Sequence, residues 1–223
     1  MSFTRFAVYY LPPDGPLATF GAKWLGWDVA TGTAADRYHV PGLDDVTMTP
    51  RKYGFHGTLK PPFRLADGQT LDGLAAAIES LAASAHPAQC DGLELRRLGR
   101  FLALTPEGDM RDIGRIAAAC VTDLDKFRAP ADDAELTRRR AAGLSPRQET
   151  LLTLWGYPYV MEEFRFHLTL TGKLGENDVG HWANTAAGLL PRLPQPFHLD
   201  TIALVGERED GGFQLIQRYA LTG

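Results

Sequence analysis

Two short stretches of this chain carry nearly the same pattern: Tyr53-Gly54-Phe55-His56-Gly57-Thr58-Leu59-Lys60 and Phe164-Arg165-Phe166-His167-Leu168-Thr169-Leu170-Thr171. In each, an aromatic residue precedes His, one residue intervenes, and Thr-Leu follows. A strand has a side-chain period of two, so His56 and Thr58 share one face while Phe55 and Leu59 share the other. His167 and Thr169 are set against Phe166 and Leu170 in the same way. A fold containing both stretches must bury the apolar face of each and leave an imidazole beside a hydroxyl on the opposite face. If the two strands meet across a cleft, the chain offers two proton-transfer groups and two neutral hydrogen-bond donors. That inventory suits acid-base cleavage of a phosphate ester.

The segments around these stretches repeat an order of elements. Arg5 to Leu11 reads as a strand stopped by Pro12-Pro13-Asp14-Gly15, and Leu17 to Trp27 as a short helix whose Phe20, Trp24 and Trp27 form a buried stripe. Thr31 to Pro50 shows no sustained period and reads as a long loop bordering the site. The first His strand is expected to end at Pro61-Pro62, because proline cannot donate into a ladder. Leu71 to Ala85 is an amphipathic helix, and the residues around Gly99 form a hairpin. Asp112 to Phe127, the charged run from Asp132, and the segment opened by Ser145-Pro146 make a helical connection. After the second His strand comes a helix from about Asn177 to Leu190, then two strands, Phe197 to Val205 and Phe213 to Ala220. Strand, helix, strand, strand thus starts at each His-x-Thr stretch. The expected organisation is a single bilobal domain over 1–223, with halves 1–105 and 155–223 joined by a helical connection 106–154 and related by a pseudo-twofold.

Composition narrows the function classes. With 223 residues and 44% hydrophobic content, the chain can fill a core. A net charge of −4 argues against a general nucleic-acid scaffold, while leaving a small or terminal phosphate as a substrate. Two cysteines, Cys90 and Cys120, suggest neither a disulfide framework nor a zinc site. The chain lacks His-x-His, His-Glu-x-x-His, Gly-x-Ser-x-Gly and P-loop patterns, so zinc hydrolase, serine hydrolase and nucleotide-driven kinase chemistry find no support. With no signal peptide or spanning stretch visible, a cytoplasmic protein without membrane contact is expected.

The paired His56-Gly57-Thr58 and His167-Leu168-Thr169 tripeptides resemble the signature of the two-histidine (2H) phosphoesterase superfamily. The longer stretches, together with Trp155-Gly156-Tyr157-Pro158-Tyr159-Val160, look like a bacterial branch of it associated with phosphonate-utilisation operons. The resemblance implies an α+β fold: bilobal, two pseudo-twofold-related, mostly antiparallel sheets flanked by helices, with the motifs facing each other in a central groove. It also implies hydrolysis of a cyclic phosphodiester, of the 2′,3′-cyclic nucleotide or ribose cyclic phosphate type, with no cofactor or metal.

His56 and His167 are the expected catalytic pair, with His167 as base and His56 as acid in ring opening. Thr58 and Thr169 are expected on the non-bridging oxygens. Lys60 continues the face of His56, and Thr171 and Lys173 continue that of His167, so these are phosphate-binding candidates too. Tyr9 or Tyr10, Arg128, Arg138 to Arg140, Tyr157 and Tyr159 are candidates for a second phosphate or a sugar. The expected partner is a small phosphorylated substrate, a nucleotide or a ribose phosphate, with no obligate protein partner. Two other readings stand beside the hydrolase: a non-catalytic binder of phosphorylated ligands or RNA ends, and an RNA end-joining enzyme.

Overall fold

The computed structural model describes residues 2–223. The chain opens with β1 (Arg5–Tyr10), a strand buried on both faces: Phe6, Val8 and Tyr10 enter the main core, while Ala7 and Tyr9 enter a second cluster on the opposite side. Helix α1 (Pro16–Leu25) starts with proline in its first turn and ends at Gly26 in the left-handed conformation. Its Phe20 and Trp24 lie one turn apart on the buried face, and Trp24 Nε1 donates to the carbonyl of Leu170 at 2.8 Å. Trp27 leaves that stripe. It sits in β2 (Trp27–Asp28), which pairs with β3 (Thr33–Ala34), and it packs on the second cluster.

The expected loop from Thr31 to Pro50 contains β3 and a helix, α2 (Leu43–Arg51). No apolar stripe announces α2, because its buried residues are only Leu43, Thr47 and Pro50. The Thr47 hydroxyl is internalised by donating to the carbonyl of Leu43 at 2.6 Å. Strand β4 (Gly57–Phe63) runs through Pro61 and Pro62 rather than stopping there. Its register against β1 shifts between Thr58 and Lys60 and again before Phe63, so the prolines fall where the ladder is irregular and no N–H is required.

Helix α3 (Leu71–Ser84) is capped by Thr70, whose hydroxyl accepts from Gly73 N at 3.1 Å, and it buries Leu74, Ile78, Leu81 and Ala82. Then follow β5 (Ala88–Cys90) and the hairpin of β6 (Gly92–Leu98) and β7 (Phe101–Glu107). The connection carries α4 (Arg111–Thr122), α5 (Asp133–Arg140) and α6 (Pro146–Trp155), the last opened by a Ser145/Gln148 capping box. The second motif supplies β8 (Leu168–Thr169), and α7 (Val179–Leu189), β9 (Phe197–Leu199), β10 (Thr201–Glu207) and β11 (Phe213–Ala220) complete the chain. Among the described residues no helix is long and apolar enough to cross a membrane.

Seven strands form one antiparallel sheet in the order β11-β10-β1-β4-β8-β7-β6. Its two parts meet between β4 and β8 through one residue pair, Gly57 opposite Leu168. The class is the expected α+β, but the halves are not the contiguous 1–105 and 155–223. Hairpin β6-β7 follows β4 in sequence yet pairs with β8, and hairpin β10-β11 follows β8 yet lies on the β4 side. The pseudo-twofold is visible in the pairing itself. Gly57 and Leu168 stand 111 residues apart, and so do Ala88 and Leu199, the pair that joins β5 to β9. Equivalent residues pair with one another only where a twofold passes between them. Strand β1, inserted between β4 and β10, breaks the symmetry.

Candidate active site

Register alone brings the four motif residues together. In an antiparallel pair with Gly57 opposite Leu168, His56 lies opposite Thr169 and Thr58 opposite His167, all four on one face. The other face is held by the aromatics that precede each His. Phe55 packs against Gly21 of α1, where a Cβ would lie 2.1 Å from its ring, and Phe166 packs over Gly57, where a Cβ would lie 2.4 Å from its ring. Both rings are buried, so each strand is clamped from behind while its polar face stays open.

Each imidazole is oriented in the same way. His56 Nδ1 donates to the carbonyl of Gly54 at 2.9 Å and His167 Nδ1 to that of Arg165 at 2.7 Å, in both cases two residues back along the chain. A ring that donates through Nδ1 presents Nε2 as its reactive nitrogen. At His56, Nε2 accepts from the Thr58 hydroxyl at 3.0 Å. The Tyr9 ring stacks on His56 at 3.7 Å between centroids, with 22° between planes. Phe101 flanks His167 at 5.5 Å.

Burial sets the electrostatics. Desolvation pushes the His56 pKa down to about 4, against the Gly54 carbonyl, which favours the charged ring; the nearby charge of His167 lowers it further. His167 is lowered as well, by burial first and with the Arg165 carbonyl opposing. Tyr9 lies well above the usual phenol value because it is buried, and the Tyr53 and Tyr157 phenols add to the rise. It is thus a neutral aromatic wall for His56 rather than an acid.

The other expected residues divide. Tyr9 and the four motif residues share the site, and Tyr157 carries the guanidinium of Arg139 over its ring at 4.5 Å, with Tyr159 against its edge at 5.6 Å. Tyr159 is exposed, at 42%, and Tyr10 points into the core between Phe166 and Phe197. Lys60 does not continue the His56 face, because the register shift after Thr58 breaks the period. Its ammonium is buried, donating to the carbonyl of Val121 at 3.0 Å beside Asp125 at 3.8 Å. The Thr171 hydroxyl is used twice by backbone, accepting from Leu102 N at 3.0 Å and donating to Gly172 O at 2.9 Å. Arg128 is held by Asp125 at 2.8 Å and by the carbonyl of Leu154. Of the arginine run, Arg138 is exposed, Arg140 pairs with Glu149, and Arg139 pairs with Glu135. Lys173 is exposed. Sequence reasoning missed Phe101 and Tyr53, which reach the imidazoles only through cross-strand and turn geometry. A cavity of about 460 Å³ lined by Leu11, Trp27, Val29, Phe55 and Leu215, among others, includes none of the four motif residues.

A family model described as "Protein of unknown function (DUF1045)" matches residues 58–214, more than half of the chain and including Thr58, His167 and Thr169. The chain belongs to the DUF1045 family. This DUF1045 chain is 42% identical over 240 residues to "Ribose 1,5-bisphosphate phosphokinase PhnN" of Janthinobacterium sp. (strain Marseille), covering 100% of the chain and 52% of that protein. It is 35% identical over 216 residues to the protein of the same name from Laribacter hongkongensis (strain HLHK9), covering 93% of the chain and 49% of that protein. The DUF1045 chain therefore spans about half the length of the curated relatives it matches. Among solved structures, it is similar to E. coli LigT complexed with 3′-AMP, at a TM-score of 0.48 and 13% identity over 100% of both chains. It is also similar to TT0787 of Thermus thermophilus, at a TM-score of 0.47 and 16% identity over 98% of both.

Proposed function

We propose that this chain is a metal-independent phosphoesterase of the two-histidine type that opens a cyclic phosphodiester. The observation that carries the reading is the square of His56, Thr169, Thr58 and His167 on one sheet face, with both Nε2 atoms set as the reactive nitrogens. In ring opening, one imidazole takes a proton from water, the water oxygen bonds to phosphorus, and the ring P–O bond breaks. The other imidazole gives its proton to the leaving oxygen, and a phosphomonoester results. Thr58 and Thr169 donate to the non-bridging oxygens as charge builds on them. In the free protein Thr58 caps His56 Nε2; a phosphate oxygen that draws this hydroxyl away frees Nε2 for water.

The sequence hardly separates the two roles, and the larger shift at His56 favours the reverse of the assignment given above. Burial lowers the pKa of both rings, and that of His56 the further, to about 4, so of the pair His56, stacked on Tyr9, is the one that stays deprotonated and acts as base in ring opening, with His167 as the acid. For the substrate class, support comes from the names of the two relatives, which are named for ribose 1,5-bisphosphate. Opening a cyclic phosphate on a ribose phosphate yields a ribose bisphosphate, so one ring-opening step would feed the reaction those names describe. No P-loop run occurs in this chain, and the kinase step is not assigned to it.

The test is a screen of cyclic phosphodiesters, ribosyl and nucleotide, with chelator present, followed by mapping of the bond opened. The expected result is turnover of a ribose cyclic phosphate, reduced about a hundred- to ten-thousand-fold in folded His56→Ala and His167→Ala proteins. Tight binding of these compounds with no turnover would instead favour a non-catalytic binder.

A further inference from the structure

The square has unequal flanks. On the β1 side, Tyr9 lies opposite Thr58 and lays its ring on His56. On the β7 side, Leu104 is opposite Leu168 and Ala103 opposite Thr169, which puts Thr105 opposite His167 on the same face. Opposite side chains in such a pair start about 5 Å apart at Cβ. Thr105 is 8% exposed, and its Oγ1 is buried with no hydrogen-bond partner. The residue beyond it, Glu94 of β6, is opposite Thr105 and is ion-paired with Arg96, while its Oε1, like the Thr105 hydroxyl, is buried and makes no hydrogen bond. His167 already uses Nδ1 on Arg165. A row of polar residues therefore crosses the sheet as Tyr9, Thr58, His167, Thr105 and Glu94.

A buried hydroxyl without a partner is uncommon, because desolvating it without a compensating bond costs stability. At a ligand site the missing partner is supplied by the ligand. Valine has the same shape and none of the cost, so the hydroxyl adds no stability by its own bonding here. We propose that Thr105 is a third substrate-binding hydroxyl, donating to a phosphate oxygen on the His167 side of the groove. The proposal rests on the phosphate reading of the site and deepens it: the two flanks are chemically distinct, an aromatic wall beside His56 and a hydroxyl beside His167. A bound phosphate then has only one favoured orientation between two pseudo-equivalent imidazoles.

Titration with inorganic phosphate, followed by calorimetry, tests this in the whole chain, with thermal unfolding measured alongside. Thr105→Val is expected to weaken phosphate binding about tenfold or more, the ordinary loss for a hydrogen bond to a charged group, and Thr105→Ser to restore it. The Tm of Thr105→Val should stay level or rise, since no protein partner is lost. Phosphate binding equal to that of the unsubstituted protein would overturn the proposal. So would a fall in Tm that serine reverses, which marks a structural hydroxyl, and so would an unsubstituted protein that binds no phosphate. Should the unsubstituted protein bind phosphate but open no cyclic ester, the hydrolase reading fails while the Thr105 effect on binding still decides this one.

Discussion

His56 shows how burial keeps neutral a residue whose ordinary pKa lies near neutrality. Taking the ring out of water disfavours its charged form, and only the Gly54 carbonyl pulls the other way. The proposed mechanism requires His56 deprotonated and His167 protonated. For kcat/KM, the acid limb is therefore expected near pH 4, and the alkaline limb below the usual 6.5 of His, because burial lowers His167 as well. NMR titration of the two rings checks the assignment, with His56 staying neutral down to about pH 4. The same shift costs stability in acid. As pH falls from about 6.5 to 4, the unfolded chain takes up a proton that the folded His56 refuses, at about 3 kcal/mol by the end of that window. Lys60 illustrates a different use of burial, lowered from 10.5 to about 8 by desolvation, with Asp125 opposing. Between about 8 and 10.5 the unfolded chain holds the proton more tightly, so this group makes the fold more stable as pH rises there. Lys60→Met is expected to leave kcat/KM within about threefold and to be neutral or stabilising at pH 7, since Asp125 keeps Arg128. A large loss of activity would return Lys60 to the phosphate. Its placement was illegible in the sequence because a period of two holds only while register holds.

At the scale of elements, the doubled pattern was readable for a physical reason: alternation places His and Thr opposite the aromatic and Leu whatever surrounds them. The helices with apolar stripes and caps, such as the one from Leu71, were readable too. Helix α2 was not, since it is held by a hydroxyl and a proline rather than a stripe. Nor could the sequence say that β4 and β8 share a single rung. There, the residue between His and Thr has a structural role. Gly57 has no unusual backbone angle, so its need is steric, set by the buried Phe166 ring at 2.4 Å from any added Cβ. Gly57→Ala is expected to cost about 1–3 kcal/mol in urea unfolding, as overpacking does elsewhere. It should also lower activity by moving both motifs, whereas an alanine protein as stable as the original would show that the ring yields freely.

For the whole molecule, repetition of element order implied a twofold but not how the halves exchange their hairpins. Chain order carries no information on whether a hairpin pairs with the strand before it or crosses to the equivalent strand. Because β6-β7 needs β8 and β10-β11 needs β1, neither 1–105 nor 155–223 holds a complete sheet. Expressed separately, each piece is expected to lack cooperative thermal unfolding by circular dichroism, and a well-folded half would contradict the interleaved topology. The rung between Gly57 and Leu168 closes a loop of more than a hundred residues, while the hairpins beside it close within a few. The proposed chemistry thus needs both parts of the sheet in place. Only when this long-range rung has formed do His56 and His167 stand side by side, so the paired site belongs to the joined sheet rather than to either half.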